Sequence, residues 1–447
     1  MFVKLLETTI IREHDDGSLI LNSDTGESLY VNRTGLLFLK VLDGTIQDTE
    51  HILQLLSKLF DDAPISEFSN DFYDFLDQMA QKGIVRVGKI KEDVDKYRLS
   101  SMLVELTMQC NERCIHCYIP NSVKSKATTM PFDIFSKLVD EFVDLGGENV
   151  TLSGGEPLMH KDIIQILDYC QKKGLTINLF SNLLLLTEHH LDILSQNKVG
   201  VIQTSVYSLN PTIHNSITLR KGSLEKTLES IDRLLDANIN VQISCPVFQK
   251  NRDSIIDIID YAQRKGISLR MNAALLPQSD GNDSFANSNA LTTDEWRCLL
   301  YKMAEYAPKY VRSNIVEHNK LCAELYLTPK EFLSSRICDA GISSCSVSPS
   351  GDVFPCTEWH SYLLGNICES SLSDIWYKSP SVRLIRQINQ QKNFRQCLGC
   401  DALDYCKRCF AYYEHANNGE LLRTNKNNCK DAFAIRELFE KYYDEHD

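Results

Sequence analysis

The sequence predicts an α/β protein: a partial (β/α)6 TIM-like barrel between a small winged-helix-like N-terminal domain and a cysteine-rich C-terminal domain. Three observations carry this. Residues 103–272 alternate strand-like and helix-like segments in units of roughly 30 residues, as a parallel sheet with right-handed crossovers requires. Ahead of them, residues 1–90 show a hairpin, three helices and a short strand in that order. Behind them, between Cys338 and Cys429, comes the largest group of the chain's 16 cysteines.

In the first domain, strand-like runs 18–22 and 28–32 flank Ser23-Asp24-Thr25-Gly26, a hairpin signal. Asn32 is placed to cap a helix through Leu36, Leu37, Leu39 and Val41 that stops at Asp43-Gly44. A second helix aligns Ile52, Leu55, Leu56 and Leu59 on one stripe. A third aligns Phe68, Phe72, Phe75, Leu76 and Met79, and ends near Gly83 before a strand at 84–87. The charged stretch 91–100 reads as a linker. In the central region, 101–275, the expected strands are 103–108, 149–152, 175–180, 201–206, 240–247 and 268–272. Helices fit between them at 132–145, 162–173, 187–196, 224–237 and 255–265. Six such units close only part of a barrel, with functional loops at the C-terminal ends of the strands. Residues 276–337 form a bridging region with a polar loop at 278–289 and helical segments around 296–306. Residues 338–447 are thiol-rich and end in an amphipathic helix at 432–443.

Composition narrows the function. The 447 residues carry 47 Lys+Arg against 60 Asp+Glu, a net charge of −13, with no basic stripe of the kind a nucleic-acid backbone requires. No apolar run approaches the ~18 residues of a membrane span. Glu7, Glu13, Asp15 and Asp16 do not suit a secretory signal, so a reducing cytoplasm is the expected location. Clustered cysteines there are metal ligands rather than disulfides.

The first cluster is Cys110-x3-Cys114-x2-Cys117, directly after the first barrel strand. A loop of that length wraps three thiolates around one face of a cubane iron–sulfur cluster and leaves one iron without a protein ligand. Structural zinc takes four ligands, and His116, between two of the thiols, reads as a ring packed beside the cluster. One βα unit later comes Ser153-Gly154-Gly155-Glu156-Pro157. Together the two motifs resemble the radical S-adenosylmethionine (radical SAM) enzymes. The resemblance implies that the open iron binds the amino and carboxylate groups of SAM's methionine. It also implies that the turn Gly154, Gly155, Glu156 and Pro157 meets the amine, through Glu156 or backbone carbonyls. Tyr118, Asn182 and Ser205 are implied cofactor neighbours, Ser205 as the ribose contact. Leu183 stands where the family often has glycine after Asn182. The segment from His214 to Ser223 resembles a family loop reading His-Asp-x-Ile-Arg-Gly, but Asn215 and Thr218 replace its acid and arginine, which leaves Arg220 as the substitute cation.

The later cysteines, Cys338-x12-Gly351-x4-Cys356 and Cys397-x2-Cys400-x5-Cys406-x2-Cys409 followed by Cys429, resemble the SPASM extension of radical SAM peptide maturases. The last internal spacing is x2 where x3 is usual. The resemblance implies two auxiliary iron–sulfur clusters, both of the [4Fe–4S] kind. Cys338, Cys356 and Cys409 hold one; Cys397, Cys400, Cys406 and Cys429 hold the other. The fourth position of the first is Cys345, which a hairpin turning at Ser350-Gly351 places opposite Cys356, or Cys322, or open to a substrate thiolate. Cys170, Cys245 and Cys298 read as core residues, and Cys368 is unassigned. A zinc ribbon on Cys397, Cys400, Cys406 and Cys409 is the alternative, and leaves the other thiols unexplained.

Residues 1–90 resemble the PqqD-like peptide-recognition domain, in which a leader peptide adds a strand to a sheet edge, here 27–31. The alternative is a plain winged helix, which the acids Asp61, Asp62, Asp71, Asp74 and Asp77 make a poor phosphate binder. The whole order is most similar to sactipeptide maturases of the subtilosin type. It implies an enzyme that splits SAM reductively to methionine and 5′-deoxyadenosine and modifies a ribosomal precursor peptide, by thioether formation first and carbon–carbon cross-linking or another oxidation second. A flavodoxin- or ferredoxin-type donor supplies the electron. A non-catalytic zinc protein that recruits a partner is the alternative of another class.

Overall fold

Asn32 begins the first helix as its position foretells: its side-chain oxygen accepts the Gly35 amide at 2.9 Å. The structure is a computed structural model that describes residues 2–6, 8–14, 17–23, 27–42, 47–60, 63–88, 97–313 and 335–443. Residues 24–26 of the expected hairpin turn, the stop Asp43-Gly44, the acids Asp61 and Asp62, most of the linker and Cys322 lie outside these. The chain divides into two units, Met1–Tyr97 and Arg98–Asp447.

The first unit contains β1 (Phe2–Leu5), β2 (Thr9–His14), β3 (Gly17–Asn22), β4 (Ser28–Asn32), α1 (Arg33–Lys40), β5 (Gln47–Asp48), α2 (Thr49–Leu59), α3 (Ile65–Gln81) and β6 (Val85–Gly88). Antiparallel β2-β3-β4 form one sheet with β4 at an edge, and β5-β1-β6 form another. The expected hairpin and closing strand are present. Each gains a partner that sequence pattern did not reveal, because β1 is four residues long and β2 carries Arg12, Glu13 and His14. Gly83, at φ +65°, ends α3 in the left-handed conformation that glycine adopts without strain. The apolar stripes of the three helices meet in one core around Ile20, Leu39, Ile52, Leu56, Phe72 and Leu76, with Phe38 and Phe72 edge to face at 5.2 Å.

In the second unit, β7 (Ser101–Thr107), β8 (Asn149–Gly154), β9 (Thr176–Phe180), β10 (Val199–Ser205), β11 (Val241–Pro246) and β12 (Ser268–Asn272) pair in parallel, each with the next. The connecting helices, Phe132–Asp144, Ile163–Lys172, Glu188–Gln196, Ser223–Asp236 and Ile255–Lys265, fall within two residues of their expected bounds. Two features differ from expectation. Residues Pro211–Thr218 form a helix capped by Asn210, whose side chain accepts the Thr212 amide at 2.9 Å, where a loop was expected. The sheet also does not stop at β7. From the cysteine-rich region, β13 (Ser344–Val347) pairs in parallel with β7, and β14 (Asp352–Phe354) and β15 (Gly365–Asn366) follow antiparallel, giving the order β12-β11-β10-β9-β8-β7-β13-β14-β15. The barrel region and the cysteine-rich region thus share one sheet. The C-terminal helix runs Lys426–Tyr442, longer than expected, and packs on helix Thr293–Tyr306 through Tyr301 and Tyr442, ring centroids 5.8 Å apart. Among the described residues no helix is long and apolar enough to cross a membrane.

Phe72 is fully buried where the three helices meet, so Phe72→Ala is expected to destabilise the first unit by about 3–5 kcal/mol. Hydrogen exchange of the α3 amides in the full chain measures it; unchanged protection would contradict this packing.

Candidate active site

At its C-terminal end β7 passes into the loop that carries the first three thiols. Helix Pro211–Thr218 fixes this loop from one side: Arg113 N–H donates to Thr218 O at 3.1 Å and Ile115 N–H to Ile217 O at 2.9 Å. Asn182, at the end of β9, donates its side-chain amide to Asn111 Oδ1 at 2.6 Å, and Arg220 Nη1 donates to Asn111 O, also at 2.6 Å. Ser223 donates its hydroxyl to the buried Glu112. Cys110, Cys114 and Cys117 are close enough that Cys114, already pushed up by burial, is pushed up further by Glu112 and by the other two thiolates. Lys124 interacts with all three. Burial opposes its charge, but Cys117, which hydrogen-bonds it, together with Cys110 and Cys114 outweighs that loss.

The residues fit an iron–sulfur cluster. Among the described residues no three His, Cys, Asp or Glu side chains converge on a point as the ligands of a single metal ion would. A cubane does not need them to, since each thiolate binds a separate iron. His116 packs against Tyr207 at 4.9 Å and Phe248 at 5.4 Å, and burial lowers its pKa to about 4. It is a neutral ring beside the thiols, as expected.

The glycine turn is tied to the same loop by backbone. Gly155 N–H donates to Thr107 O and Glu156 N–H to Gln109 O, both at 2.7 Å. A Cβ on Gly154 would stand 2.3 Å from Thr107 O, and one on Gly155 2.2 Å from Gln109 O. The glycines are thus required by the neighbouring chain. Gly154 also has φ +128°, which side-chain-bearing residues rarely adopt. Glu156 is fully buried, and both its oxygens are taken: Oε1 accepts Leu158 N–H at 3.0 Å and Ser181 Oγ at 2.7 Å, and Oε2 accepts Asn182 N–H at 2.8 Å. Burial raises its pKa to about 7, and those bonds oppose the rise. Of the two acceptors that the sequence offered for an ammonium group, the Glu156 carboxylate is therefore committed to the turn, and the backbone carbonyls are the ones left. Pro157 opens a short 3-10 turn, Pro157–Met159. Leu183 holds φ +64°, the conformation that a glycine there would reach without strain.

Arg220 is engaged on the backbone of the loop and Asn182 on the side chain of its Asn111. Ser205 ends β10, half-buried, with its hydroxyl engaging Tyr207. The Tyr118 hydroxyl donates to Glu105 Oε1. Sequence reading missed Glu105, although a single acid within the apolar run Met102-Leu103-Val104-Glu105-Leu106 was a visible signal.

The remaining thiols separate into two sets. Cys356 is pushed up by burial, then by Glu358, Cys409 and Cys338; Cys406 is pushed up by burial and by Cys397, Cys429 and Cys400, with Arg408 opposing. Cys345 joins neither set. It is 3% exposed in β13, alongside Met102 of β7, and burial alone carries its thiol to about 12. The hairpin itself forms, with Ser346 opposite Phe354. Continuing that register puts Ser344 rather than Cys345 across from Cys356, and a one-residue offset turns a side chain to the other face. Cys170 and Cys245 are core residues, but Cys298 is exposed, on the side of its helix away from Trp296, Leu299, Leu300 and Met303. Cys368 is exposed, beside Gly351.

Comparison with known proteins agrees with this geometry. Residues 104–267 match the radical SAM superfamily, residues 338–401 the SPASM iron–sulfur cluster-binding domain, and residues 17–85 coenzyme PQQ synthesis protein D, PqqD. The subtilosin biosynthesis protein AlbA of Bacillus subtilis is 27% identical over 414 residues, 89% of this chain and 88% of its own length. An AdoMet-dependent heme synthase of Methanosarcina barkeri is 29% identical over 69% of this chain and 90% of its own. The crystal structure of Streptococcus suis SuiB bound to precursor peptide SuiA has the same fold, with a TM-score of 0.57 at 17% identity over 92% of this chain and 96% of that one. The chain thus carries a radical SAM domain, with a PqqD domain before it and a SPASM domain after it.

Proposed function

We propose that this enzyme matures a ribosomally made precursor peptide by joining a cysteine sulfur to a carbon. The observation that carries the reading is one continuous sheet bearing, in sequence order, the three-thiol loop, the glycine turn hydrogen-bonded to it, and a hairpin that leads to Cys356. Cys110, Cys114 and Cys117 hold the first cluster, and the backbone carbonyls of the Gly154–Pro157 turn receive the methionine amine of SAM. Glu156, Asn182 and Arg220 keep that turn and loop in register, and Ser205 and Tyr118 border the cofactor. A reduced cluster with SAM bound there supplies the 5′-deoxyadenosyl radical that takes a hydrogen atom from the peptide.

Two auxiliary [4Fe–4S] clusters complete the assignment: one on Cys338, Cys356 and Cys409, its fourth position taken by Cys322 or by the peptide's thiolate, and one on Cys397, Cys400, Cys406 and Cys429. A flavodoxin- or ferredoxin-type protein delivers the electron in the cytoplasm. The leader binds along edge strand β4 of the first unit, where Tyr30 is 53% exposed. A heme-forming reaction, as the M. barkeri relative's name describes, would leave the PqqD domain without a role, and the similarity to AlbA runs over more of the chain.

Reconstituted anaerobically with dithionite and SAM, the enzyme should release methionine and 5′-deoxyadenosine, and should cross-link the cysteine-bearing precursor encoded beside its gene. Cys114→Ala should abolish cleavage, whereas Cys400→Ala should keep part of it and lose cross-linked product; full cleavage in Cys114→Ala would contradict the assignment. Gly155→Ala, whose methyl would press on Gln109 O, should lower the iron bound at the first site while leaving the other two loaded, as iron analysis and electron paramagnetic resonance would read. Removing residues 1–97 should weaken leader binding by about 100-fold or more in fluorescence anisotropy, roughly 2.7 kcal/mol, and unchanged affinity would remove the first unit from peptide recognition.

A further inference from the structure

Glu105 is the one acid in β7. Its side chain is 1% exposed, and an ionised carboxylate in such a place is costly unless it is paired. Oε1 accepts the Tyr118 hydroxyl, but Oε2 is buried with no hydrogen-bond partner. Facing it, 3.7 Å away, is His360 Nε2, which is also buried and without a partner. His360 lies flat on Phe354 of β14, ring centroids 4.5 Å apart at 5°, and edge-on to Tyr118 at 5.8 Å. Two chain segments hold the group in place: Tyr118 follows Cys117 of the first thiol set, and His360 comes four residues after Cys356 of the second. Tyr118 is half-buried, and its hydroxyl is the group bonded to Glu105. The charged and titratable groups around the three are Cys117 and Glu358 beside Tyr118, Asp352 beside His360, and Arg270 of β12 beside Glu358.

Resting on the thioether reading, we propose that Glu105, acting through Tyr118, takes the proton that the peptide's thiol gives up as the carbon–sulfur bond forms. Joining C–H and S–H into C–S removes two hydrogens. One leaves as the hydrogen atom captured in 5′-deoxyadenosine. One electron and one proton remain. An oxidised iron–sulfur cluster, which Cys338, Cys356 and Cys409 would hold, would accept the electron. The S–H bond breaks toward the Tyr118 oxygen while the Tyr118 proton moves to Glu105, so Tyr118 ends unchanged and Glu105 ends as the neutral acid. The empty faces of Glu105 Oε2 and His360 Nε2 then close on that acid, whose hydrogen bonds to the imidazole. Burial prepares both groups for this transfer. It raises the Glu105 carboxyl pKa to about 7, against the Tyr118 hydrogen bond, and lowers that of His360 to about 4, so the imidazole faces Glu105 as a neutral acceptor.

The test uses the full-length, cluster-loaded enzyme and the cysteine-bearing precursor encoded beside its gene. The readout is cross-linked peptide formed per 5′-deoxyadenosine released. Only the ionised carboxylate accepts a proton, so in the wild type this ratio should rise about tenfold between pH 6 and pH 8. In Glu105→Gln, which keeps an acceptor for Tyr118, the ratio should fall at least about tenfold and lose its pH dependence. Infrared difference spectra should show one buried carboxyl titrating near neutrality in the wild type and missing in the variant. A Glu105→Gln ratio equal to wild type, or a variant that merely loses its first-site iron, overturns the proposal, as does a wild-type ratio flat with pH or a wild type without that infrared titration. A wild type that releases 5′-deoxyadenosine but forms no thioether refutes the function proposed above instead.

Discussion

Two backbone hydrogen bonds, from Gly155 to Thr107 and from Glu156 to Gln109, bring the end of β8 against the start of the thiol loop. Their closeness leaves no room for a Cβ at Gly154 or Gly155, so the turn can be built only from the smallest residue. Glu156 then turns back into the turn and the end of β9, where its carboxylate collects three donors. A charge that would be expensive to bury is spread over the protein's own hydrogen bonds, and the loop, the turn and the third strand become one rigid piece. The thiols are therefore held by a frame of the protein's own hydrogen bonds, which is how a small number of side chains keeps a reactive centre oriented.

The alternation of strand and helix was legible because every unit obeys its own period. β7 to β12 are short apolar runs and the helices between them carry clean amphipathic stripes, so bounds agree within a few residues. The thiol loop was legible for a different reason, as a spacing that suits three thiolates on one face of a cluster better than a four-ligand zinc site. What escaped notice depends on partners far away in sequence. β1 is too short to announce itself and exists because β5 and β6 pair with it. Cys345 looked like a ligand because spacing along a hairpin does not reveal register, and register decides which face a side chain takes. The reason for the glycines was also hidden, since nothing in Gly-Gly-Glu-Pro says which backbone will lie against it. Arg220 illustrates the same gap: its place in a family-like loop did not reveal that its guanidinium lies on a carbonyl of the thiol loop.

The later thiols fall into two groups that the SPASM resemblance, rather than any local period, led one to expect. Their separation into Cys338, Cys356 and Cys409 on one side and Cys397, Cys400, Cys406 and Cys429 on the other appears in which thiols disturb each other's ionisation. Asn389 and Asn428 place side-chain amides near Cys338 and Cys406, at 3.9 and 3.3 Å. Donors of that kind tune iron–sulfur potentials.

The parallel pairing of β13 with β7 has a bearing on how the polypeptide is made. During synthesis the nascent chain presents β7 some 240 residues before its flanking neighbour β13 emerges. Through that interval a row of amide and carbonyl groups stands open on one border of a half-built sheet, ready to zip onto any passing strand, including that of a sister molecule. The last quarter of the protein therefore acts as a seal on the rest, and a chain cut short before Ser344 is a product prone to clump.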